Sequence, residues 1–285
     1  MLSIRGLCHA YGKHNHVLNG IDLNIPKGLF GLLGPNGAGK STLMRILATL
    51  QVPTQGHIEF DGVDVQSHPQ ALRRMLGYLP QDFDVWPQGS AFETLDHIAA
   101  LKGIGNRKQR RERVDYLLDQ TNLLSHKHKR LASFSGGMKR RFGIAQALIA
   151  EPKLIIVDEP TAGLDPEERN RFHNLLAELG EDLVVILSTH IVEDISVLCP
   201  KLAVLLNGRI VAQGATEELL TQIDGQVWQT WKDSWPDRVA KISEQRQGGK
   251  LKFRVHAREN PGSGFEAVEP SLEDIYFLSI NGCLQ

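Results

Sequence analysis

One segment of eight residues most limits what this chain can fold into. It lies between the apolar run 29–33 and a helical pattern that starts at Thr42, and it reads Gly34-Pro35-Asn36-Gly37-Ala38-Gly39-Lys40-Ser41. Glycines at these spacings let backbone N–H groups point inward and form a concave phosphate site at a helix N-terminus. Lys40 adds positive charge for the β- and γ-phosphates, and the Ser41 hydroxyl suits Mg²⁺. The segment predicts a nucleoside-triphosphate site without separating ATP from GTP.

The composition is that of a globular protein. With 285 residues, of which 41% are hydrophobic and 23% charged, the chain can form one large domain and a small one. The formal net charge of −1 disfavours DNA binding as the main task. Three cysteines without CxxC spacing predict a reducing, cytoplasmic setting and no zinc site. No apolar run approaches the roughly 18 to 20 residues that span a bilayer, so the chain is expected to be soluble.

The order of the predicted elements indicates an α/β fold. Residues 2–25 predict antiparallel strands ahead of the phosphate loop, and residues 90–120 predict helices inside a helical insertion at about 82–150. Buried strands at 154–157 and 183–187 alternate with helices, which predicts a mixed, mainly parallel core sheet. We therefore expect a P-loop NTPase domain over residues 1–222, with an N-terminal antiparallel β subdomain.

The tail over residues 223–285 predicts a small α+β module. Strands are expected at 227–231 and 250–256, with a helix that starts at Pro236 between them. Three tryptophans in this tail could form a ligand-stacking surface, but packing inside the module is the favoured interpretation. They are Trp228, Trp231 and Trp235.

Two adjacent carboxylates, Asp158 and Glu159, end the apolar strand 154–157. In a nucleotide-binding parallel sheet, ligands bind at the carboxyl ends of the strands, beside the phosphate loop. We expect Asp158 to reach Mg²⁺, and Glu159 to orient and deprotonate the water that attacks the γ-phosphate. A solvated turn before Pro160 is the weaker interpretation.

A third motif, Phe134-Ser135-Gly136-Gly137-Met138, lies just ahead of the acidic strand. Its position after the phosphate loop resembles the signature sequence of the nucleotide-binding subunits of ATP-binding cassette (ABC) transporters. The serine and glycines also suit an anion at a helix N-terminus. The resemblance implies that Ser135, Gly136 and Gly137 bind the γ-phosphate of an ATP held by the opposite subunit.

Other positions resemble the family one at a time. Tyr11 resembles the aromatic residue that stacks on adenine, and Gln81 resembles the glutamine that touches Mg²⁺ and the attacking water. Asp165, after Leu164, resembles the loop that communicates across the dimer. His190 resembles the histidine that contacts the γ-phosphate. The resemblance implies an ATP- and Mg²⁺-dependent ATPase.

The chain departs from the usual family motifs at a few positions. Met138 and Phe134 replace residues that are often glutamine and leucine, and Ala162-Gly163 replaces a frequent serine-alanine pair. These departures touch the signature and the cross-dimer loop. None of them removes a phosphate-binding or acid/base group.

The family resemblance predicts how the chain works. Two ATPase subunits, identical or different, would meet head to tail, with each ATP held by residues 34–42, including Thr42, of one and the signature of the other. A separate transmembrane permease would contact the surface around residues 82–103 and keep the protein on the cytoplasmic face of the membrane. The segment Gly77-Tyr78-Leu79-Pro80-Gln81 and the ending 268–276 are similar to those of bacterial ABC-2-type exporter ATPases.

Two other function classes are weighed against transport. A soluble ABC ATPase could act on ribosomes or nucleic acid, but such proteins usually carry two cassettes or a long coiled-coil insertion, and no nucleic-acid partner is expected here. A nucleotide-binding module without turnover is disfavoured because Glu159, Gln81 and His190 are all present. Phosphate release above the level of a Lys40→Ala variant separates turnover from binding alone.

Overall fold

The structure is a computed structural model that describes residues 1–12, 15–161, 164–180 and 182–283. Ala162 and Gly163 therefore lie outside the described residues. The helices and strands in chain order are β1 Leu2–Tyr11, β2 Asn15–Ile25, β3 Gly28–Leu33, α1 Lys40–Leu47, β4 Gln55–Phe60, β5 Val63–Asp64, α2 Pro69–Met75, β6 Leu76–Leu79, α3 Ala91–Leu101, α4 Arg107–Gln120, α5 Gly136–Leu148, β7 Leu154–Asp158, α6 Pro166–Leu179, β8 Val184–Thr189, α7 Val192–Leu198, β9 Lys201–Leu206, β10 Arg209–Ala215, α8 Thr216–Thr221, β11 Val227–Thr230, β12 Ala240–Gln247, β13 Lys250–His256, β14 Phe265–Ala267 and α9 Leu272–Ile280.

The central sheet has the strand order β10-β9-β3-β8-β7-β6. The strands from β9 to β6 are parallel, and β10 pairs antiparallel with β9 at one edge. Every residue of β7 and β8 is buried, as expected for parallel strands covered on both faces. The prediction of a mixed, mainly parallel core sheet is confirmed, and the carboxyl ends of β3, β7 and β8 lie at the same edge.

A second, antiparallel sheet has the order β2-β1-β4-β5. Its strands β1 and β2 precede the phosphate loop in sequence, and β4 and β5 follow α1. Apolar side chains of β1 and α1, including Leu2, Ile4, Leu43 and Met44, share one buried cluster with residues of the central sheet. This packing holds the helix after the phosphate loop between the two sheets.

The helical insertion contains α3, α4 and α5, which pack against one another. Ser90 begins α3 with a capping box, in which Ser90 Oγ accepts from the Glu93 N–H and the Glu93 carboxylate accepts from the Ser90 N–H. The helical apolar spacing seen in the sequence is borne out, because Leu95, Val114 and Leu118 are fully buried. Among the described residues, no helix is long and apolar enough to cross a membrane.

The predicted helix that starts at Pro236 is wrong. Residues 240–247 form β12 instead, which pairs antiparallel with β13 and joins the third sheet, β12-β13-β11-β14. Gly248 and Gly249 both have positive φ values, 58° and 84°, and connect the two strands as a tight hairpin turn. A two-glycine turn between strands favours hairpin pairing over a local helix, since both residues reach the left-handed region without steric cost.

The tail packs back onto the rest of the chain through α9. Ile275, Tyr276 and Leu278 belong to the same buried cluster as Leu202 of β9, so the apolar core is continuous across residue 222. A capping box between Ser271 and Asp274 begins α9. The Asp274 carboxylate also accepts from Arg254 Nε of β13 at 2.8 Å, which ties the helix to the third sheet.

The tail tryptophans divide into two kinds. Trp228 is buried and its indole N–H donates to the Ala257 carbonyl at 3.1 Å, while Trp235 lies edge-on to Phe253. These two pack inside the module, as expected. Trp231 is half exposed and lies beneath the Lys252 ammonium, so it is not part of that core.

Candidate active site

The phosphate loop connects β3 to α1. Gly39 is the N-cap residue of α1 with a φ of 108°, a conformation that favours glycine. At Gly34, an added Cβ would lie 2.3 Å from the Leu205 carbonyl oxygen, so only glycine fits against β9. Asn36, Gly37 and Ser41 are exposed, whereas Ala38 and Lys40 are buried. The loop is thus pinned to the sheet on one side and open to solvent on the other.

Lys40 lies between the loop and the acidic strand end. Its ammonium donates to the Gly34 carbonyl at 2.7 Å and to the Pro35 carbonyl at 3.3 Å. It also lies 3.6 Å from the Glu159 carboxylate. Burial lowers the pKa of Lys40, and the charges of Glu159 and Asp158 act in the opposite direction. A phosphate held by the loop would meet this cation directly.

Glu159 follows the last residue of β7 and has a φ of 49°, a left-handed conformation that is rare outside glycine. Such a backbone costs on the order of 1–3 kcal/mol and persists only where surrounding contacts hold it. Here the Glu159 N–H donates to the Ser188 carbonyl at 2.8 Å. The buried carboxylate lies 2.9 Å from His190 Nδ1 and accepts from Thr189 Oγ1 at 3.4 Å. The strained backbone therefore directs the carboxylate toward β8 and Lys40.

Asp158 is the last residue of β7, and its side chain is buried. Burial raises the pKa of Asp158, while the neighbouring hydroxyls of Ser188 and Ser41 act in the opposite direction. Its Oδ1 has no hydrogen-bond partner within the part of the chain that the structure describes. A buried carboxylate oxygen without a partner is costly unless a ligand satisfies it, and a hard cation is the ordinary ligand for such an atom.

Tyr11 and Gln81 lie at the margins of the site. The Tyr11 hydroxyl is 3.4 Å from Thr42 Oγ1 and donates to Gln51 at 3.0 Å, and its side chain is half exposed. The hydrogen bond with Thr42 is the main cause that lowers the pKa of Tyr11. Gln81 is exposed just after β6, and its backbone carbonyl accepts from Arg140 at 2.8 Å.

The signature residues lie at the start of α5 and do not contact the phosphate loop of the same chain in the contacts that the structure describes. Ser135 caps α5, since its Oγ accepts from the Met138 N–H at 3.2 Å. Ser135 and Gly136 are exposed, whereas Gly137 is buried and an added Cβ would lie 1.9 Å from the Glu168 carboxylate. These described contacts are with α5 and α6 and not with the phosphate loop. Asp165 caps α6 by accepting from the Glu168 N–H at 2.8 Å.

Two buried charges near the site were missed at the level of sequence. Arg140 of α5 donates to the backbone carbonyls of Asp158 and Pro160, and Asp194 of α7 accepts from three side chains. Arg140 stands between Lys139 and Arg141, so nothing in its spacing marks it as the buried one. In the sequence, only its position four residues after His190 hints that Asp194 belongs near the site.

Asp194 joins α6 and α7 to the chain that follows Glu159. Its fully buried carboxylate accepts from Thr161 Oγ1 and from Arg169 Nε at 2.7 Å, and it lies 2.8 Å from His173 Nε2. These contacts hold the residues just before and after the cross-dimer loop against the helix that starts after His190.

Replacing Asp194 by alanine is expected to lower the free energy of unfolding by about 3 kcal/mol, because Thr161, Arg169 and His173 lose the buried carboxylate that accepts from all three. Chemical denaturation of the purified variant measures this change. Glu193→Ala is the matched control, since Glu193 is the exposed neighbour in the same first turn and should cost at most about 1 kcal/mol. Equal losses for the two variants would contradict a specific role for the buried carboxylate.

Comparisons with known proteins place this geometry in a family. The family model described as ABC transporter matches residues 18–162. The uncharacterized ABC transporter ATP-binding protein YxlF of Bacillus subtilis is 37% identical over 301 residues, which cover 99% of this chain and 100% of that protein. Nod factor export ATP-binding protein I of Rhizobium sp. (strain N33) is 35% identical over 297 residues, which cover 99% and 97%.

A solved structure gives the same result for the fold. The dimeric structure of an ATP-binding cassette in a post-hydrolysis state, bound to ADP and Pi, aligns with a TM-score of 0.69 and 25% identity. The alignment covers 75% of this chain and 98% of that one. Fold and site together define a P-loop ATPase cassette. The chain belongs to the ABC transporter family, in which it is an ATP-binding subunit that hydrolyses ATP, as the order of its motifs predicted.

Proposed function

We propose that this chain powers an exporter by binding and hydrolysing ATP between two cassette subunits. The observation that carries the proposal is the meeting of Lys40, Asp158, Glu159 and His190 at the carboxyl edge of the central sheet. Lys40, the adjacent acidic pair and His190 come from three distant segments of the chain. Together they supply a phosphate-binding cation, a general base and a polar partner for that base. Export is supported by the 35% identity to Nod factor export ATP-binding protein I of Rhizobium sp. (strain N33).

Hydrolysis needs a base beside the γ-phosphate. The Glu159 carboxylate lies 3.6 Å from Lys40 Nζ, so a γ-phosphate contacting that ammonium is within reach of a water that Glu159 orients and deprotonates. His190 is half exposed and lies 2.9 Å from the same carboxylate, where it can hold the base in place and contact the phosphate. Tyr11 would stack on the adenine from beside Thr42.

The residues present fit Mg²⁺. We assign Asp158, Ser41 and Gln81 as the side chains that hold it. Asp158 Oδ1 is buried without a partner among the residues that the structure describes, and oxygen donors are what Mg²⁺ prefers. When bound, Mg²⁺ neutralises charge on the β- and γ-phosphates and favours transfer of the γ-phosphoryl group to water. Asp158 contributes a buried carboxylate oxygen next to the phosphate loop.

The exposed corner formed by Ser135 and Gly136, at the N-terminus of α5, is assigned to a second cassette subunit. Both residues are exposed, and the first N–H groups of a helix have no intrahelical carbonyl partner, so a phosphate is favourable there. The phosphate loop of the same chain is open to solvent on its far side. In a head-to-tail pair, each ATP contacts residues 34–42 of one subunit and the corner of the other. This arrangement covers both the exposed side of the phosphate loop and the exposed corner. A dimeric cassette among the solved structures supports this arrangement.

The partner that carries the transported substrate is assigned as a separate transmembrane permease. The helical insertion exposes two large apolar side chains, Trp86 and Leu101. Leu101 lines a groove of about 830 Å³ together with Tyr78 and Lys102, and Trp86 lines a second groove of about 980 Å³ together with Phe92. An exposed apolar surface of this kind suits a cytoplasmic segment of a permease, and binding there would hold the protein at the membrane. A net charge of −1 gives no support to a nucleic-acid partner.

Phosphate release tests the catalytic part of the proposal. With ATP and Mg²⁺, the purified protein should release phosphate steadily, and Lys40→Ala should reduce release to the level of buffer alone because the loop loses its cation. Release by the parent that does not exceed that of the Lys40→Ala variant would mean a binding module without turnover.

Stimulation of the ATPase distinguishes a transporter subunit from a soluble ABC ATPase that acts on ribosomes or nucleic acid. Membrane vesicles that contain the co-expressed permease should raise phosphate release, whereas ribosomes and DNA should leave it unchanged. Stimulation by ribosomes or DNA alone would favour a soluble ABC ATPase instead.

A further inference from the structure

Arg140 makes an unusual set of contacts. Its Nε donates to the Pro160 carbonyl at 2.9 Å, and Nη1 donates to the Gln81 carbonyl at 2.8 Å. Its Nη2 donates to the Asp158 carbonyl at 3.1 Å and also to the Glu159 carbonyl. One guanidinium thus binds the backbone carbonyls of the acidic pair and of the residue after it, as well as the backbone of the loop after β6.

These contacts explain why the charged Arg140 is tolerated although it is only 8% exposed. A guanidinium has five N–H donors in a planar fork, so it can satisfy several carbonyls at once. Burial lowers the pKa of Arg140, and the nearby charges of Asp158, Glu159 and Asp82 act in the opposite direction. The carboxyl end of β7 therefore provides a negative environment into which the fork fits.

Arg140 is carried by the helix that begins at the exposed corner. Ser135 caps α5, whose first residue is Gly136, and Arg140 follows one turn later. At about 1.5 Å of rise per residue, the backbone positions of Ser135 and Arg140 are about 7.5 Å apart along the helix axis. A displacement of the corner by a partner's nucleotide would therefore move the guanidinium with it.

The backbone that Arg140 holds is the strained one. Glu159 has a left-handed backbone, with its N–H bound to the Ser188 carbonyl and its carbonyl bound to Arg140. Because both peptide groups of Glu159 are held, a shift of the guanidinium would change the direction of the Glu159 side chain. The same shift reaches the loop that carries Gln81.

We propose that Arg140 is a positioning residue that couples the two ATP sites of the dimer. When the corner at Ser135 engages the ATP bound to the other subunit, Arg140 sets the backbone of Glu159 and Gln81 in its own subunit for hydrolysis. The inference rests on the proposed head-to-tail dimer. The proposed contacts link two ATP sites. One is the site in the other subunit that Ser135 completes, and the other is the site at the phosphate loop of the same subunit.

Arg140→Lys tests the proposal, because lysine keeps the charge but loses the fork that binds several carbonyls. We expect kcat to fall by about 10- to 100-fold, since small misplacements of catalytic groups cost that much. The Hill coefficient for ATP should fall from between 1 and 2 in the parent to about 1 in the variant. The dissociation constant of the monomer for ATP, measured with a fluorescent ATP analogue, should stay within about 3-fold because the phosphate loop is untouched.

Arg113→Lys is the matched control. Arg113 donates to the Leu148 carbonyl at 2.9 Å, at the opposite end of α5, so it supports the same helix without touching the site. This variant should keep the parent's Hill coefficient and most of its kcat. Arg140→Gln, which keeps two donors and loses the charge, is measured beside it and should also lose cooperativity.

Several outcomes would overturn the proposal. A Hill coefficient of 1 in the parent would mean that no coupling exists, and an unchanged coefficient in Arg140→Lys would mean that Arg140 does not carry it. Loss of monomer ATP binding in both Arg140 variants would assign Arg140 to folding alone. Failure of the shared-site dimer itself is detected separately, because Glu159→Gln with Arg140 intact would then form no ATP-dependent dimer.

Discussion

Glu159→Gln is expected to lower kcat by about 10²- to 10⁴-fold while ATP binding is retained. The amide keeps the shape of the carboxylate and its contact with His190, but it cannot accept a proton from the attacking water. ATP should then remain intact between the subunits, so ATP-dependent dimers should accumulate. Size-exclusion chromatography with ATP, together with single-turnover phosphate release, measures both effects.

The exposed Glu193 gives a control for this experiment. Glu193→Gln makes the same chemical change in the first turn of α7, outside the site, and should leave turnover and dimer lifetime as in the parent. Dimers that separate equally fast in Glu159→Gln and in the parent would contradict the role of Glu159 as the base. Turnover near the parental rate would do so as well.

Ser135→Arg is expected to abolish ATPase activity while each monomer still binds ATP. A long cation at the exposed corner blocks close approach of the second cassette and its nucleotide. The phosphate loop and Lys40 are unaffected. Loss of the α5 cap costs about 1 kcal/mol, too little to unfold the domain. Phosphate release and the binding of a fluorescent ATP analogue to the monomer separate the two effects.

Ser133→Arg is the control, since Ser133 is also exposed and lies just before the corner. A second test uses two inactive variants together. A head-to-tail pair of Lys40→Ala with Ser135→Arg contains one intact site, which consists of the loop of the Ser135→Arg subunit and the corner of the Lys40→Ala subunit. Mixing them should restore part of the phosphate release. Full activity of Ser135→Arg alone would reject the shared site.

The local parts of the site could be predicted from sequence. The glycine pattern of the phosphate loop, the strand that ends at Asp158 and the Ser135 cap of α5 each depend on a few consecutive residues. The class of fold also follows, because buried parallel strands that alternate with helices leave few arrangements. The family resemblance rested on the order of these local motifs, and the comparisons bear it out.

Contacts between distant segments could not be predicted in the same way. The helix expected from Pro236 is a strand because residues 240–247 find a partner in β13 across the Gly248-Gly249 turn. The buried state of Arg140 depends on carbonyls of Gln81 and of β7, neither of which is near it in sequence. Neither outcome is encoded by local propensity or periodicity alone.

By itself, the sequence determined the chemical groups and their local geometry: a phosphate loop at a helix N-terminus, carboxylates at a strand end and an exposed serine-glycine corner. The tertiary structure decided which of these groups meet. It brought His190 to 2.9 Å from Glu159 and left Asp158 Oδ1 buried without a partner among the described residues. It also placed Arg140 in hydrogen bonds with the carbonyls of Gln81 and Glu159. The physical reason is that local backbone preferences act over a few residues, whereas these distances follow from packing the whole core.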